Sequence, residues 1–167
     1  MKTVRRLREL SDPEALRLFV WSLLTVLGAA ALMRTLSLPV LLSHFSRRSS
    51  RRSERKTLVT PDIRSLDQVR RYSHAIVTSL LRSRRPCLLR SLVLYRYCYK
   101  QGVPIAIHFG VKSGSDGLDG HSWITLDGAL FFESSETLRP YTVVYSYPET
   151  GKDEVCPRQT GVMVEAR

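Results

Sequence analysis

The sequence predicts an α+β protein, with helices first and an antiparallel sheet after them. Three observations carry this. Before residue 100, apolar residues recur at helical spacing, as in Leu66, Val69, Tyr72, Ile76 and Leu80. Residues 86–100 open on Pro86-Cys87 and run through strong helix formers towards a stop at Gly102. Beyond Gly102 the pattern turns to runs of β-branched and aromatic residues punctuated by glycine.

At 167 residues the chain is one domain, or one domain with an extension, and is long enough to bury a core. Its net charge of +11 is uneven. Residues 1–56 carry 12 Lys/Arg against 4 Asp/Glu, a net of +8, whereas residues 57–167 carry 14 against 11, a net of +3. Such a basic third suits anionic lipid or an acidic partner. Nucleic acid is not expected, because no zinc finger, RNP or helix-turn-helix signature accompanies the charge. The three cysteines, Cys87, Cys98 and Cys156, form no CxxC, and no cleavable signal pattern opens the chain. A disulfide framework is therefore not expected, and a cytoplasmic setting, with membrane association open, fits better. Cys and His are too widely spaced to assemble a zinc set, so neither metal nor cofactor is expected.

In chain order, Ser11-Asp12-Pro13-Glu14 is a helix start, with a capping residue, a first-turn proline and an acid. Residues 18–33 hold no charge and are bounded by Arg17 and Arg34. A bilayer span needs about 20 apolar residues, so a buried or interfacial helix is expected over residues 15–45, broken or kinked at Pro39. Residues 46–56 are low-complexity and basic and form an exposed linker, whose contact with lipid headgroups stays open. These observations divide the chain into a basic, apolar, helical region with its linker (1–56), a core (57–147) and a polar tail (148–167). Within the core, Thr60-Pro61-Asp62 starts an amphipathic helix over residues 65–82, with Ser65 and Gln68 as a capping box. Residues 83–85 link it to the cysteine helix, expected from about residue 87 to residue 100. Residues 103–111 form a strand, 112–120 an exposed loop, 121–126 a strand, 129–134 its return and 142–145 a further strand.

The chemistry-bearing residues follow that order. Cys87 falls in the first turn of its helix, where free N–H groups and the helix dipole favour a thiolate. His121 opens a strand and acids follow it. An attacking thiol, an imidazole that takes its proton and an acid that orients the imidazole make up a nucleophilic triad. The backbone N–H of Cys87 is the natural oxyanion donor; no upstream Gln stands at papain-like spacing. Cys98, about three turns along the same helix, is read as packing, Cys156 as part of the tail, and His108 as a core or edge residue.

The acid is read from the hairpin. Asp127 is the nearest acid after His121, but six extended residues place it roughly 20 Å away, in a turn with Gly128. A three-residue Leu126-Asp127-Gly128 closure would set Thr125 opposite Ala129 and His121 opposite Glu133, with Cβ atoms about 5 Å apart. A two-residue Asp127-Gly128 turn would send Glu133 to the other face. On the first register the catalytic residues are Cys87, His121 and Glu133.

Residues 87–95, Gly102-Val103-Pro104, Gly110-Val111-Lys112 and residues 121–128 together resemble the transglutaminase-like superfamily, over about residues 60–145. More closely they resemble the lasso peptide biosynthesis B2 proteins, the leader peptidases of lasso peptide maturation. The resemblance implies a papain/transglutaminase-like core with the cysteine helix packed on the sheet. It implies a cysteine protease that removes the leader from a ribosomally made precursor peptide and hands the core to an ATP-dependent lasso cyclase. That family usually has aspartate at the position matching Glu133, a difference of one methylene. Its leader is often held by a small winged-helix-like domain that the first 60 residues here do not resemble, so a separate leader-recognition protein is expected. Two readings stand beside this one: a transglutaminase-like acyl transferase using the same thiol, and a non-catalytic membrane-surface module built on residues 15–56.

Overall fold

The computed structural model describes residues 12–47, 62–82, 86–114 and 117–148. The basic stretch 48–56, the link 83–85 and the tail with Cys156 lie outside them. The chain divides into two compact units, Met1–Pro104 and Ile105–Arg167, a division that follows the change from helix to strand.

The first unit is helical. Helix α1, Pro13–Leu32, begins as its sequence dictates: the Asp12 carboxylate accepts the N–H of Glu14 at 3.1 Å and Pro13 fills the first turn. It ends well before Pro39. The chain turns over residues 33–36, and Pro39 lies in the first turn of a separate helix, α2, Leu38–Arg47. Proline starts a helix here rather than kinking one, because its missing N–H has no acceptor in a first turn. Helix α3, Ile63–Ala75, is capped by Asp62, which accepts from the N–H of Arg64 at 3.1 Å and from the Ser65 hydroxyl. The Ser65–Gln68 capping box is thus replaced by a start three residues earlier. The helix closes in a π turn, Ile76–Leu80, sealed by the Leu81 N–H on the Ile76 carbonyl at 3.1 Å.

Helix α4, Pro86–Lys100, matches its expected limits within a residue. Its end is a Schellman closure: Val103 N–H bonds the Cys98 carbonyl and Gly102 N–H the Tyr99 carbonyl, both at 3.1 Å. Gly102 has φ +74°, a backbone that an L side chain resists. Helices α1, α3 and α4 pack on one another, and α2 packs on α4. The core between them takes Val26 and Ala29 from α1, Leu66 and Val69 from α3, and Leu92, Val93 and Tyr95 from α4. Each fully buried aliphatic side chain of this kind contributes about 1.5–3 kcal/mol. Edge-on ring pairs knit the helices, Phe19 with Tyr72 at 5.6 Å and Trp21 with Tyr97 at 5.4 Å. The buried Tyr95 keeps its hydroxyl satisfied against Ser46 at 3.0 Å.

The second unit is an antiparallel sheet of β1 (Ile105–Gly114), β2 (Gly117–Leu126), β3 (Ala129–Phe131) and β4 (Thr142–Tyr147), in the order β3-β2-β1-β4. A short helix, α5, Ser135–Leu138, stands between β3 and β4. With the first unit this makes the α+β arrangement that the sequence predicts. Residues 112–114 and 117–120, expected in a loop, are instead the far ends of β1 and β2, paired Lys112 with Asp119 and Gly114 with Gly117. Their strand character rests on cross-strand backbone bonds, and most of these residues are exposed, so no apolar alternation announces them. The return strand stops at Phe131 rather than at residue 134.

His108 is the buried polar centre of this sheet. Its Nδ1 lies 2.8 Å from the Ser146 hydroxyl and its Nε2 2.9 Å from the Thr125 hydroxyl, and its ring stacks on Trp123 at 5.8 Å. Burial holds its pKa below the ordinary 6.5. Because the unfolded chain then takes up the proton more readily, stability contributed at His108 is complete above about pH 6.5 and falls as the pH is lowered through that value. Thermal unfolding followed from pH 7.5 to pH 5 should show the melting temperature dropping, and His108→Gln, which can still bond both hydroxyls, should flatten that fall.

Candidate active site

The candidate catalytic residues lie in both units and are described unit by unit. In the first unit Cys87 stands in the first turn of α4, half-buried, directly after Pro86. The first turn of a helix, through its N–H groups and dipole, favours negative charge on a thiol placed there. Cys98, on the same helix, is fully buried, and burial pushes its pKa up to about 12, so it stays a thiol. The two cysteines are chemically distinct although they share one helix.

In the second unit His121 and Glu133 come together. Nε2 of His121 lies 3.7 Å from Oε1 of Glu133, and their side chains are only 18 % and 16 % exposed. The route to this pairing differs from the sequence expectation. The hairpin closes through a two-residue turn, with Leu126 facing Ala129, Thr125 facing Leu130 and Ile124 facing Phe131. Asp127 and Gly128 both have positive φ, +48° and +77°, the signature of a type I′ turn and the reason an Asp-Gly pair stands there. In that register a continuing strand would send Glu133 to the face opposite His121. The strand does not continue. Phe132 has φ +60°, the alternation breaks, and the rings of the consecutive residues Phe131 and Phe132 lie 4.0 Å apart instead of on opposite faces. This break returns Glu133 to the side of His121. Asp127 remains exposed at the turn.

The segment after the break completes the surroundings of the imidazole. The Ser134 hydroxyl caps α5 by accepting from Thr137 N–H at 3.2 Å, and Leu138 is buried. Tyr141 then donates its N–H to the Leu138 carbonyl at 2.9 Å and brings its ring to 5.3 Å from His121. Trp123, two residues along β2, stacks on the imidazole at 6.1 Å. The Tyr141 hydroxyl donates to Asp119 at 2.9 Å, and Lys112, opposite Asp119 across β1 and β2, reaches the same carboxylate at 3.3 Å and lies 4.8 Å from the Tyr141 ring centre. The Tyr141 hydroxyl and then Lys112 hold the exposed Asp119 carboxyl below its usual range. The imidazole is thus flanked by two rings, with Oε1 of Glu133 3.7 Å from its Nε2.

Sequence reasoning missed Tyr141, Asp119 and the turn at Phe132. Lys112 and Asp119 lie in the stretch expected to be a loop, and Tyr141 follows Pro140 with no pattern around it; only the pairing of β1 with β2 and the fold-back after β3 bring them to His121. Among the described residues, no group of three or more His, Cys, Asp and Glu side chains is gathered that could hold a metal ion.

A helix-borne cysteine in one unit and an imidazole–carboxylate pair on an antiparallel sheet in the other are side-chain types that thiol chemistry uses. Comparison with known families agrees: the transglutaminase-like superfamily matches residues 32–146, which is most of the chain and includes Cys87, His121 and Glu133. The chain belongs to that superfamily, which generally contains cysteine peptidases and acyltransferases. No curated protein and no solved structure matches it.

The setting of the imidazole can be tested at Gly110, the residue opposite His121 on β1. A Cβ there would stand 2.8 Å from Cη2 and Cζ3 of the buried Trp123 ring and 3.1 Å from Cβ of Tyr141. Gly110→Ala should therefore destabilise by about 1–3 kcal/mol, as overpacking does, read as a lower midpoint in chemical denaturation.

Proposed function

We propose that this chain is a cysteine peptidase that removes the leader from a ribosomally synthesised lasso peptide precursor. The observation that carries the reading is the His121–Glu133 pair at 3.7 Å, within a superfamily match that also takes in a cysteine at a helix start. Cys87 is the nucleophile, attacking the carbonyl at the leader–core junction. Nδ1 of His121 takes the thiol proton and later returns it to the leaving amine, while Glu133 at Nε2 orients the ring and stabilises the imidazolium. The Cys87 N–H donates to the oxyanion. Water then releases the leader from the acyl-enzyme. The choice of a lasso precursor is supported by the likeness of residues 87–95 and 121–128 to the leader peptidases of that pathway.

The same thiol with an amine acceptor would make an acyl transferase, and the two outcomes separate by mass. Incubation with a precursor peptide should give hydrolysis at one junction; loss of ammonia with cross-linking would move the assignment to acyl transfer. Cys87→Ala should abolish the product with the fold intact, and Cys98→Ala should leave turnover unchanged if the repacked helix folds. Glu133→Gln should lower kcat about a hundredfold or more, in the range of a lost orienting group, while Asp127→Asn leaves it unchanged, since asparagine suits a left-handed turn position as well as aspartate. Iodoacetamide should label Cys87 at neutral pH and spare Cys98.

The proposed partners are the precursor, a separate leader-recognition protein and a cyclase that consumes the freed core. A flexible peptide loses ordering entropy on binding, and tethering by a recognition protein raises its effective concentration. Cleavage should therefore accelerate tenfold or more when that protein is added; equal rates with and without it would count against the partnership.

A further inference from the structure

The superfamily match begins at the last residue of α1, so membership leaves the role of that helix unassigned. Helix α1 buries Ala15, Ser22, Val26 and Ala29 in the bundle. Leu16, Val20, Leu24 and Leu27, on its other side, are 47 %, 44 %, 65 % and 41 % exposed. These four share one face, because their spacing of four, four and three residues returns to the same direction. Residues 18–33 contain no charge at all, and mean hydropathy reaches 1.9 over an 18-residue window of the helix. A helix apolar all round needs an apolar medium on both sides, and the bundle supplies only one.

Beside this face, within the same unit, lies an open groove of about 260 Å³. Its lining includes Trp21, Leu24, His44, Phe45, Arg96 and Lys100, and no acidic residue. Leu24 belongs to both the groove and the exposed stripe. Each cation is seated over a ring: Arg96 lies 4.7 Å from the centre of Phe45, and Lys100 lies 5.7 Å from that of Trp21. Exposed Arg17 and Arg34 flank the uncharged run, and residues 1–56 carry the net +8.

We propose that α1 and the adjoining groove dock the protein on an anionic phospholipid surface. The stripe from Leu16 to Leu27 enters the boundary between headgroups and acyl chains, and Arg96 and Lys100 take lipid phosphates in the groove. The helix lies on the bilayer rather than through it. It packs on α3 and α4, which carry Asp67, Arg70, Arg71, Arg90 and Arg96, and those charges could not follow it into hydrocarbon. An unbroken aliphatic face beside a cationic groove matches the two layers of an anionic membrane, which present acyl chains and phosphates at adjacent depths. The proposal is independent of the peptidase reading.

The test is co-sedimentation of the full chain with vesicles of phosphatidylcholine alone and of phosphatidylcholine mixed with phosphatidylglycerol, over a salt series. The mixed vesicles should bind it at least tenfold more tightly at low salt, with the difference shrinking as salt rises. Val20→Ser with Leu24→Ser should weaken binding to the mixed vesicles roughly a hundredfold, the loss expected for two aliphatic anchors. Because both side chains are exposed, circular dichroism and the melting temperature should be unchanged. Arg96→Gln with Lys100→Gln should remove roughly tenfold of the anionic preference. Absence of binding to both vesicle types, or equal binding to both, would overturn the proposal. So would self-association of the wild type abolished by the serine pair, which assigns the face to a second copy. An acidic peptide held where vesicles are not would assign the groove to a peptide, and membrane material resisting alkaline carbonate would mean that α1 spans.

Discussion

The surroundings of His121 depend on the chain leaving the sheet at Phe132. A two-residue turn and an uninterrupted return strand would place Glu133 on the far face, and α5 and Tyr141 would follow it away. A positive φ in a phenylalanine costs about 1–2 kcal/mol. The fold sustains it by anchoring both sides of the break: Phe131 and Phe132 rest against each other, Ser134 caps the short helix, and Leu138 is buried. Strained backbone of this kind concentrates where a side chain must be aimed, and here it aims a carboxylate at an imidazole.

Two carboxylates lie near that imidazole, and the structure gives them different work. Asp119 stands two residues before His121 on β2, hence on the same face. Its charge is engaged by the Tyr141 hydroxyl and Lys112 and is exposed to water, where electrostatic attraction is weak. Glu133 is largely shielded and faces Nε2. In shielded surroundings the same attraction is stronger, so the imidazole feels the Glu133 charge more than that of Asp119. Asp119 instead fixes Tyr141, whose ring limits how the imidazole can tilt. Gly110 makes room for this, since a side chain at that point would strike Trp123.

Much of the fold was legible because it is written in local chemistry. Asp12-Pro13, the Pro86-Cys87 start and the left-handed stop at Gly102 each act through their own neighbours, and each lies where the pattern puts it. The four strands were legible too, but the stretches held only by distant pairing were not. The ends of β1 and β2 carry glycine, serine and aspartate and bury little, so composition resembles a loop although the backbone forms a ladder. The site shows the same division. His121 and Glu133 could be found as residues, but their approach follows from a turn type and a backbone break that compensate each other. Reading the hairpin as a three-residue closure led to the right neighbour by a register the chain does not adopt. Side-chain period is binary, so two reversals of face cancel, and a face argument cannot tell none from two.

The same limit applies to α1, in the opposite sense. Periodicity identifies a helix by the contrast between its sides, and over residues 18–33 there is little contrast to read. Length and hydropathy therefore admit a core helix, an interfacial helix and a span alike. What separates them is the neighbourhood. Ala15, Ser22, Val26 and Ala29 are buried against the bundle, whereas Leu16, Val20, Leu24 and Leu27 face outward. A helix meant only for the interior would be expected to turn its largest aliphatic residues inward, where each buries the most area. Here three leucines and a valine are turned outward along one face, an arrangement that makes sense when that face has an apolar medium of its own to bury them in.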